Sequence, residues 1–146
     1  MSRSRRTRRR AQDGDRACRV LVVDDDPDTR DVFVAVFEAE GYCVAQAPDG
    51  VGALAILQGD APPDVLVLDL LLPQMDGWSL LARVRAEPNL RHIRVLVMSA
   101  VAHVRRDELA NADFVASKPV DSATLFETVS KLCLPFAPRP SPFTGV

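Results

Sequence analysis

Three short runs of apolar, mostly β-branched residues constrain this chain more than anything else in it: Arg19-Val20-Leu21-Val22-Val23, Val65-Leu66-Val67-Leu68 and Ile93-Arg94-Val95-Leu96-Val97-Met98. They lack the strict alternation of apolar and polar residues that gives a strand one face for water. A strand made from any of them must be covered on both sides, as in a parallel sheet. Two weaker candidates, Tyr42-Cys43-Val44-Ala45-Gln46 and Asp113-Phe114-Val115-Ala116-Ser117, bring the set to five. Segments with helical spacing follow each of them, over residues 28–40, 50–58, 77–86, 103–111 and 122–133. In the first, Val32, Phe33, Val36 and Phe37 form one apolar stripe, and Gly41 stands where a C-terminal cap is wanted. Strand and helix alternating five times with short connections predicts right-handed crossovers. The fold class is therefore α/β, a doubly wound five-stranded parallel sheet with helices on both faces.

The chain of 146 residues suits one domain with a full core. The expected folded body runs over residues 18–134. Before it, residues 1–17 form an Arg-rich tail with six arginines and no acid in the first ten, a like-charge block expected to be disordered. After it, residues 135–146 carry Pro135, Pro138, Pro140 and Pro142 and are expected to be irregular, which leaves no room for an effector domain. Beyond the first ten residues, 12 basic groups face 20 acidic ones. An acidic body argues against direct nucleic-acid binding, for which only the Arg tail speaks. No apolar run approaches the roughly 18 residues of a membrane span and no secretory signal opens the chain, so no membrane partner and a cytoplasmic location are expected. Cys18, Cys43 and Cys133 are widely spaced, without the clustering of a zinc site, and are expected to be reduced and incidental.

In doubly wound sheets, ligands bind beyond the carboxyl ends of the strands. The first strand ends in Asp24-Asp25-Asp26-Pro27. Asp26 before a proline suits a helix N-cap, which leaves Asp24 and Asp25 to repel each other unless they share a cation, and oxygen ligands suit Mg²⁺. The third strand ends in Asp69, a lone carboxylate within Val65-Leu66-Val67-Leu68-Asp69-Leu70-Leu71-Leu72-Pro73. A charge so placed needs a partner. Met75-Asp76-Gly77 has the form of a turn and cap opening the third helix. The fourth strand ends in Ser99-Ala100, a hydroxyl beside a very small residue. The fifth ends in Ser117-Lys118-Pro119, in a chain with 16 arginines and two lysines. A compact ammonium rather than a guanidinium fork is thus wanted at 118, as at a tight phosphate site.

In that order, the strings VVDDDP, DVLVLDLLLPQMDG, VLVMSA and SKP closely resemble the receiver domains of two-component response regulators, from about Arg19 to Leu132. The resemblance implies strand order 2-1-3-4-5 and phosphoryl transfer to Asp69 from a sensor histidine kinase or a histidine phosphotransfer protein. It implies Mg²⁺ held by Asp25, Asp69 and the backbone carbonyl of Leu71, with Asp24 assisting through water. Ser99 and Lys118 would contact the phosphoryl oxygens, and Lys118-Pro119 would be a cis peptide. The phosphoprotein would be a stand-alone signalling protein acting on a downstream protein target, its only catalysis being its own phosphorylation and dephosphorylation. The output surface implied includes His103, Arg105, Arg106 and Val115. Where relatives place an aromatic three residues before the lysine, this chain has Val115, with Phe114 one residue earlier. Leu71 and Val101 would flank the path of the hydrolytic water, and two hydrocarbons there imply a long-lived phosphoaspartate. A dehalogenase-type phosphatase needs an acid where Leu71 stands, and neither GxGxxG nor GxxxxGK occurs. The remaining alternative is a phosphorylation-independent pseudo-receiver that serves as an interaction module.

Overall fold

A computed structural model describes residues 17–100 and 110–133. Within them the order is β1 (Arg19–Val23), α1 (Pro27–Ala39), β2 (Cys43–Ala47), α2 (Gly50–Leu57), β3 (Val65–Asp69), α3 (Gly77–Ala86), β4 (Arg94–Ser99), β5 (Phe114–Ser117) and α4 (Ser122–Leu132). The strands form one five-stranded sheet in the order β2-β1-β3-β4-β5, and every pairing is parallel. The expected helix over 103–111 lies mostly outside the described residues, as do the N-terminal tail apart from Ala17 and the whole of the C-terminal tail.

The apolar runs explain themselves in the packing. Alternate residues of one strand enter different cores: Leu21, Val23, Leu66, Leu68, Val95 and Val97 pack on the side of α2 and α3. Val20, Val22, Val65, Val67, Leu96 and Met98 pack on the side of α1 and α4. A polar residue at any of these positions would be buried on one face or the other. β2, at the sheet edge, is mostly exposed, which is why its sequence gave the weaker signal.

Local chemistry sets the helix ends. Asp26 caps α1, accepting from Asp28 N, with Pro27 at the first position, and Asp76 caps α3, accepting from Ser79 N at 2.8 Å. At the other end of α1, Gly41 adopts φ +90°, its N–H donates to Glu38 O, and Tyr42 N–H donates to Phe37 O. The Tyr42 ring lies 6.0 Å from that of Phe37, completing a Schellman motif with its apolar contact. The apolar stripe of α1 is rotated from the expected one. Phe33, Val34 and Phe37 are buried, whereas Val32 is 53% exposed because the helix is centred on Phe33 and Phe37.

Arg85 of α3 fastens the far end of the sheet. Its guanidinium donates to Ile93 O at 2.6 Å, Asn111 O at 2.7 Å and Asp113 Oδ2 at 2.8 Å, and the same Asp113 oxygen accepts Val95 N–H at 2.8 Å. The starts of β4 and β5 are thereby held in the register that sets Ser99 opposite Ser117.

The cysteines correct the expectation of reduced thiols. Cys18 and Cys133 form a disulfide across a sequence separation of 115, with Cα atoms 5.8 Å apart, while Cys43 is free and exposed. Spacing concealed the pair because β1 starts, and α4 ends, at the same rim of the sheet.

Asp121 caps α4. Its carboxylate accepts Thr124 N–H at 2.7 Å and the Thr124 hydroxyl at 3.0 Å, and these two bonds, the backbone one foremost, hold its pKa below the ordinary 3.8. A depressed folded pKa contributes stability that is complete above 3.8 and lost as the pH falls through the folded value. The urea midpoint of wild type should therefore exceed that of Asp121→Asn at neutral pH, and the gap should close below pH 3.8. A gap independent of pH would contradict this account of the cap.

Candidate functional site

The acidic residues predicted at the strand ends meet. β1 delivers Asp24 and Asp25 beyond Val23, β3 ends on Asp69, and the three side chains each offer an oxygen within 4.8 Å of the others. Asp24 is wholly buried, Asp69 is 3% exposed, and Asp25 faces solvent. Lys118, one residue past β5, donates Nζ–H to Asp69 Oδ2 at 2.7 Å and lies 3.6 Å from Asp24 Oδ2. The peptide bond between Lys118 and Pro119 is cis, as the resemblance implied.

The hydrogen bonds show what each carboxylate lacks. Asp69 Oδ1 accepts Leu71 N–H at 3.0 Å and Oδ2 accepts from Lys118, so each oxygen has a partner. Asp24 Oδ1 accepts Asp26 N–H at 2.9 Å, but Oδ2 is buried with no hydrogen bond. Burial pushes the Asp24 carboxyl above its usual range, with Asp69 and Asp25 adding to the rise against the opposing pull of Asp26 N–H and Lys118. At Lys118 burial disfavours the ammonium, but the hydrogen bond and charge of Asp69, and then the charge of Asp24, outweigh it and leave the pKa raised. A buried carboxylate oxygen lacking a donor, beside two further carboxylates, is a donor set suited to a hard divalent cation.

The other predicted residues are placed less decisively. Ser99 ends β4 and is 2% exposed, and its hydroxyl donates to Ala100 O at 2.9 Å. Leu71 lies two residues past Asp69 with its side chain 53% exposed. Phe114 packs against the core beneath α1 and α4, and Val115 against the opposite core. Val101, His103, Arg105 and Arg106 lie outside the described residues. Sequence reasoning missed Arg30, which reaches from α1 to the Asp24 carbonyl at 2.8 Å and to Gln46 Oε1 at 2.8 Å. Neither acceptor is charged, so no pattern of opposite charges announces the contact. Glycines 50 and 77 press the rim together: a Cβ on Gly50 would meet Met75 Cβ at 2.8 Å, and one on Gly77 would meet Leu70 Cα at 2.5 Å.

The doubly wound parallel sheet, with three carboxylates and an ammonium gathered at the carboxyl ends of its strands, has the fold seen in chemotaxis response regulators. The chain belongs to the response regulator receiver domain family of two-component systems, which residues 20–130 match. It is 38% identical over 122 residues to an uncharacterized 14.6 kDa protein from the sodA1 3′ region of Leptolyngbya boryana, covering 82% of this chain and 92% of that one. It is 35% identical over 120 residues to the response regulator PleD of Caulobacter vibrioides, covering 80% of this chain but only 26% of PleD. Among solved structures, the chemotaxis response regulator CheY4 of Vibrio cholerae superposes with a TM-score of 0.72 at 27% identity, over 80% of this chain and 99% of that one. TrrA of Thermotoga maritima, solved in complex with Mg²⁺ and BeF, gives 0.70 at 28% identity, over 79% and 98%. No helix among the described residues is long and apolar enough to cross a membrane.

Proposed function

We propose that the protein accepts a phosphoryl group on Asp69 from a sensor histidine kinase or histidine phosphotransfer protein, in a Mg²⁺-dependent reaction in the cytoplasm, and signals by binding a downstream protein. The observation that carries this reading is the pocket itself: three carboxylates within 4.8 Å, a buried Asp24 oxygen lacking a donor, and Lys118 on Asp69. Asp25, Asp69 and the Leu71 carbonyl would hold the ion directly, and Asp24 through water. When bound, Mg²⁺ supplies the charge neutralisation that lets two anions approach. An Asp69 carboxylate oxygen attacks phosphorus, the bond from phosphorus to the donor imidazole nitrogen breaks, and the imidazole departs. Lys118 transfers its hydrogen bond from Asp69 Oδ2 to a phosphoryl oxygen. The Ser99 hydroxyl reaches a second by rotating away from Ala100 O. Beside Lys118 a cleft of about 460 Å³ runs between Thr29, Val32 and Phe33 of α1 and the Pro119-Val120 segment, and the exposed Val32 suits it to the donor protein.

Intact mass after incubation with MgCl₂ and a small acyl phosphate tests the proposal. One phosphoryl adduct is expected in wild type, and none in Asp69→Asn or with chelator. An adduct that survives both changes refutes it, and no adduct in wild type favours the pseudo-receiver.

The lifetime of that adduct is expected to be long, since Leu71 offers only hydrocarbon at the mouth. Leu71→Asn with Val101→Glu should shorten it about tenfold, the effect of regaining one positioned hydrogen bond of about 1.4 kcal/mol. Decay of the phosphoprotein mass after donor removal measures this, and an unchanged lifetime rejects control by these side chains.

A further inference from the structure

We propose that Arg30 is a positioning residue for the acidic pocket: its guanidinium fixes the peptide between Asp24 and Asp25, and so the place of the Asp25 carboxylate. The inference rests on the Mg²⁺ reading above and extends it to a residue outside the ligand set. Arg30 lies in the first turn of α1, where the helix dipole disfavours a cation. Its side chain nevertheless folds back over that end, Nη1 donating to Asp24 O at 2.8 Å and Nε donating to Gln46 Oε1 at 2.8 Å. Every polar group of Asp24 except Oδ2 is then tied. Its N–H donates to Ala47 O at 3.2 Å, Oδ1 accepts from Asp26 N–H, and its carbonyl accepts from Arg30. That carbonyl belongs to the Asp24-Asp25 peptide plane, so its rotation would swing the exposed Asp25 carboxylate away from Asp24 and Asp69. Gln46, on the edge strand, sets the azimuth of the guanidinium. A lysine could carry the charge but could not hold both acceptors in one rigid plane.

Two effects of Arg30 on cation affinity have opposite signs, which makes the proposal decidable. As a charge, it repels a divalent cation, and its removal should tighten binding. As a clamp, it pre-organises a ligand, and losing such a support typically weakens metal binding about 10-fold to 100-fold. Titration of the full chain with MgCl₂, followed by the amide resonances of Asp25 and Asp69, distinguishes them. Arg30→Met and Arg30→Lys should each weaken binding about tenfold, with Gln46→Ala weakening it less. Urea midpoints recorded alongside should stay near that of wild type. Arg83→Met, which removes an exposed arginine paired with Glu87 on α3, should leave the affinity unchanged. Equal or tighter binding by Arg30→Met, or full rescue by Arg30→Lys, overturns the clamp while leaving the Mg²⁺ site intact. Absence of binding in wild type overturns both.

Discussion

Cys18→Ser is expected to lower the unfolding free energy by about 4.8 kcal/mol, the loop-closure entropy returned to the unfolded chain when a link across some 115 residues is lost. The same loss should follow when wild type is treated with a dithiol reductant, and the variant should not respond to it. Both sulfurs also pack against the core beneath α1 and α4, so serine removes apolar contact in addition. Cys43→Ser provides the control, because that thiol is exposed and unpaired. Domains of this size are stable by about 5–15 kcal/mol, so the bond would supply between about a third of that stability and nearly all of it. Urea denaturation with and without reductant measures the difference, and coincident curves would show that the bond carries no stability. In a cytoplasm that keeps thiols reduced, the cost would apply continuously.

Gly77→Ala is expected to slow phosphorylation of Asp69 far more than it destabilises the fold, for a steric reason. A Cβ there would lie 2.5 Å from Leu70 Cα, 2.8 Å from Asp69 O and 3.0 Å from Leu70 O, all main-chain atoms that cannot turn aside. Gly77 N–H already donates to Leu70 O at 2.9 Å, so helix and strand end are in direct contact. Overpacking of this kind costs about 1–3 kcal/mol. The strain falls on the residue that follows β3, and relief requires Asp69 to move. A displacement of about 1 Å at a reacting atom slows transfer about a hundredfold. Adduct formation followed by mass should therefore fall far more than the urea midpoint does. If phosphorylation is as fast as in wild type, the contact at Gly77 does not position Asp69.

The parts of this molecule written in local chemistry were legible in its sequence. Double burial made β1, β3 and β4 unmistakable, and Asp26, Asp76 and Gly41 announced helix ends through side-chain and backbone preferences that act within a few residues. The convergence of Asp24, Asp25, Asp69 and Lys118 was legible because parallel strands deliver their carboxyl ends to one rim. What escaped depends on distance across the fold. The disulfide requires knowing where α4 ends, the Arg30 clamp uses neutral acceptors, and the turn of α1 that exposes Val32 is decided by packing against the sheet rather than by the period of the helix.

The parallel sheet also fixes where the protein can be held. All strands run one way and α4 runs back, so Cys18 and Cys133 lie together at the rim opposite Asp69, 5.8 Å apart. A tether attached at either point, to a bead, a surface or a fluorescent reporter, leaves the acidic mouth unobstructed. Tension applied between the two passes through one covalent bridge and loads neither β1 nor its neighbours. Once the bridge is reduced, the same pull unzips β1 from its end, and the domain changes from a mechanically inert bead into an extensible one.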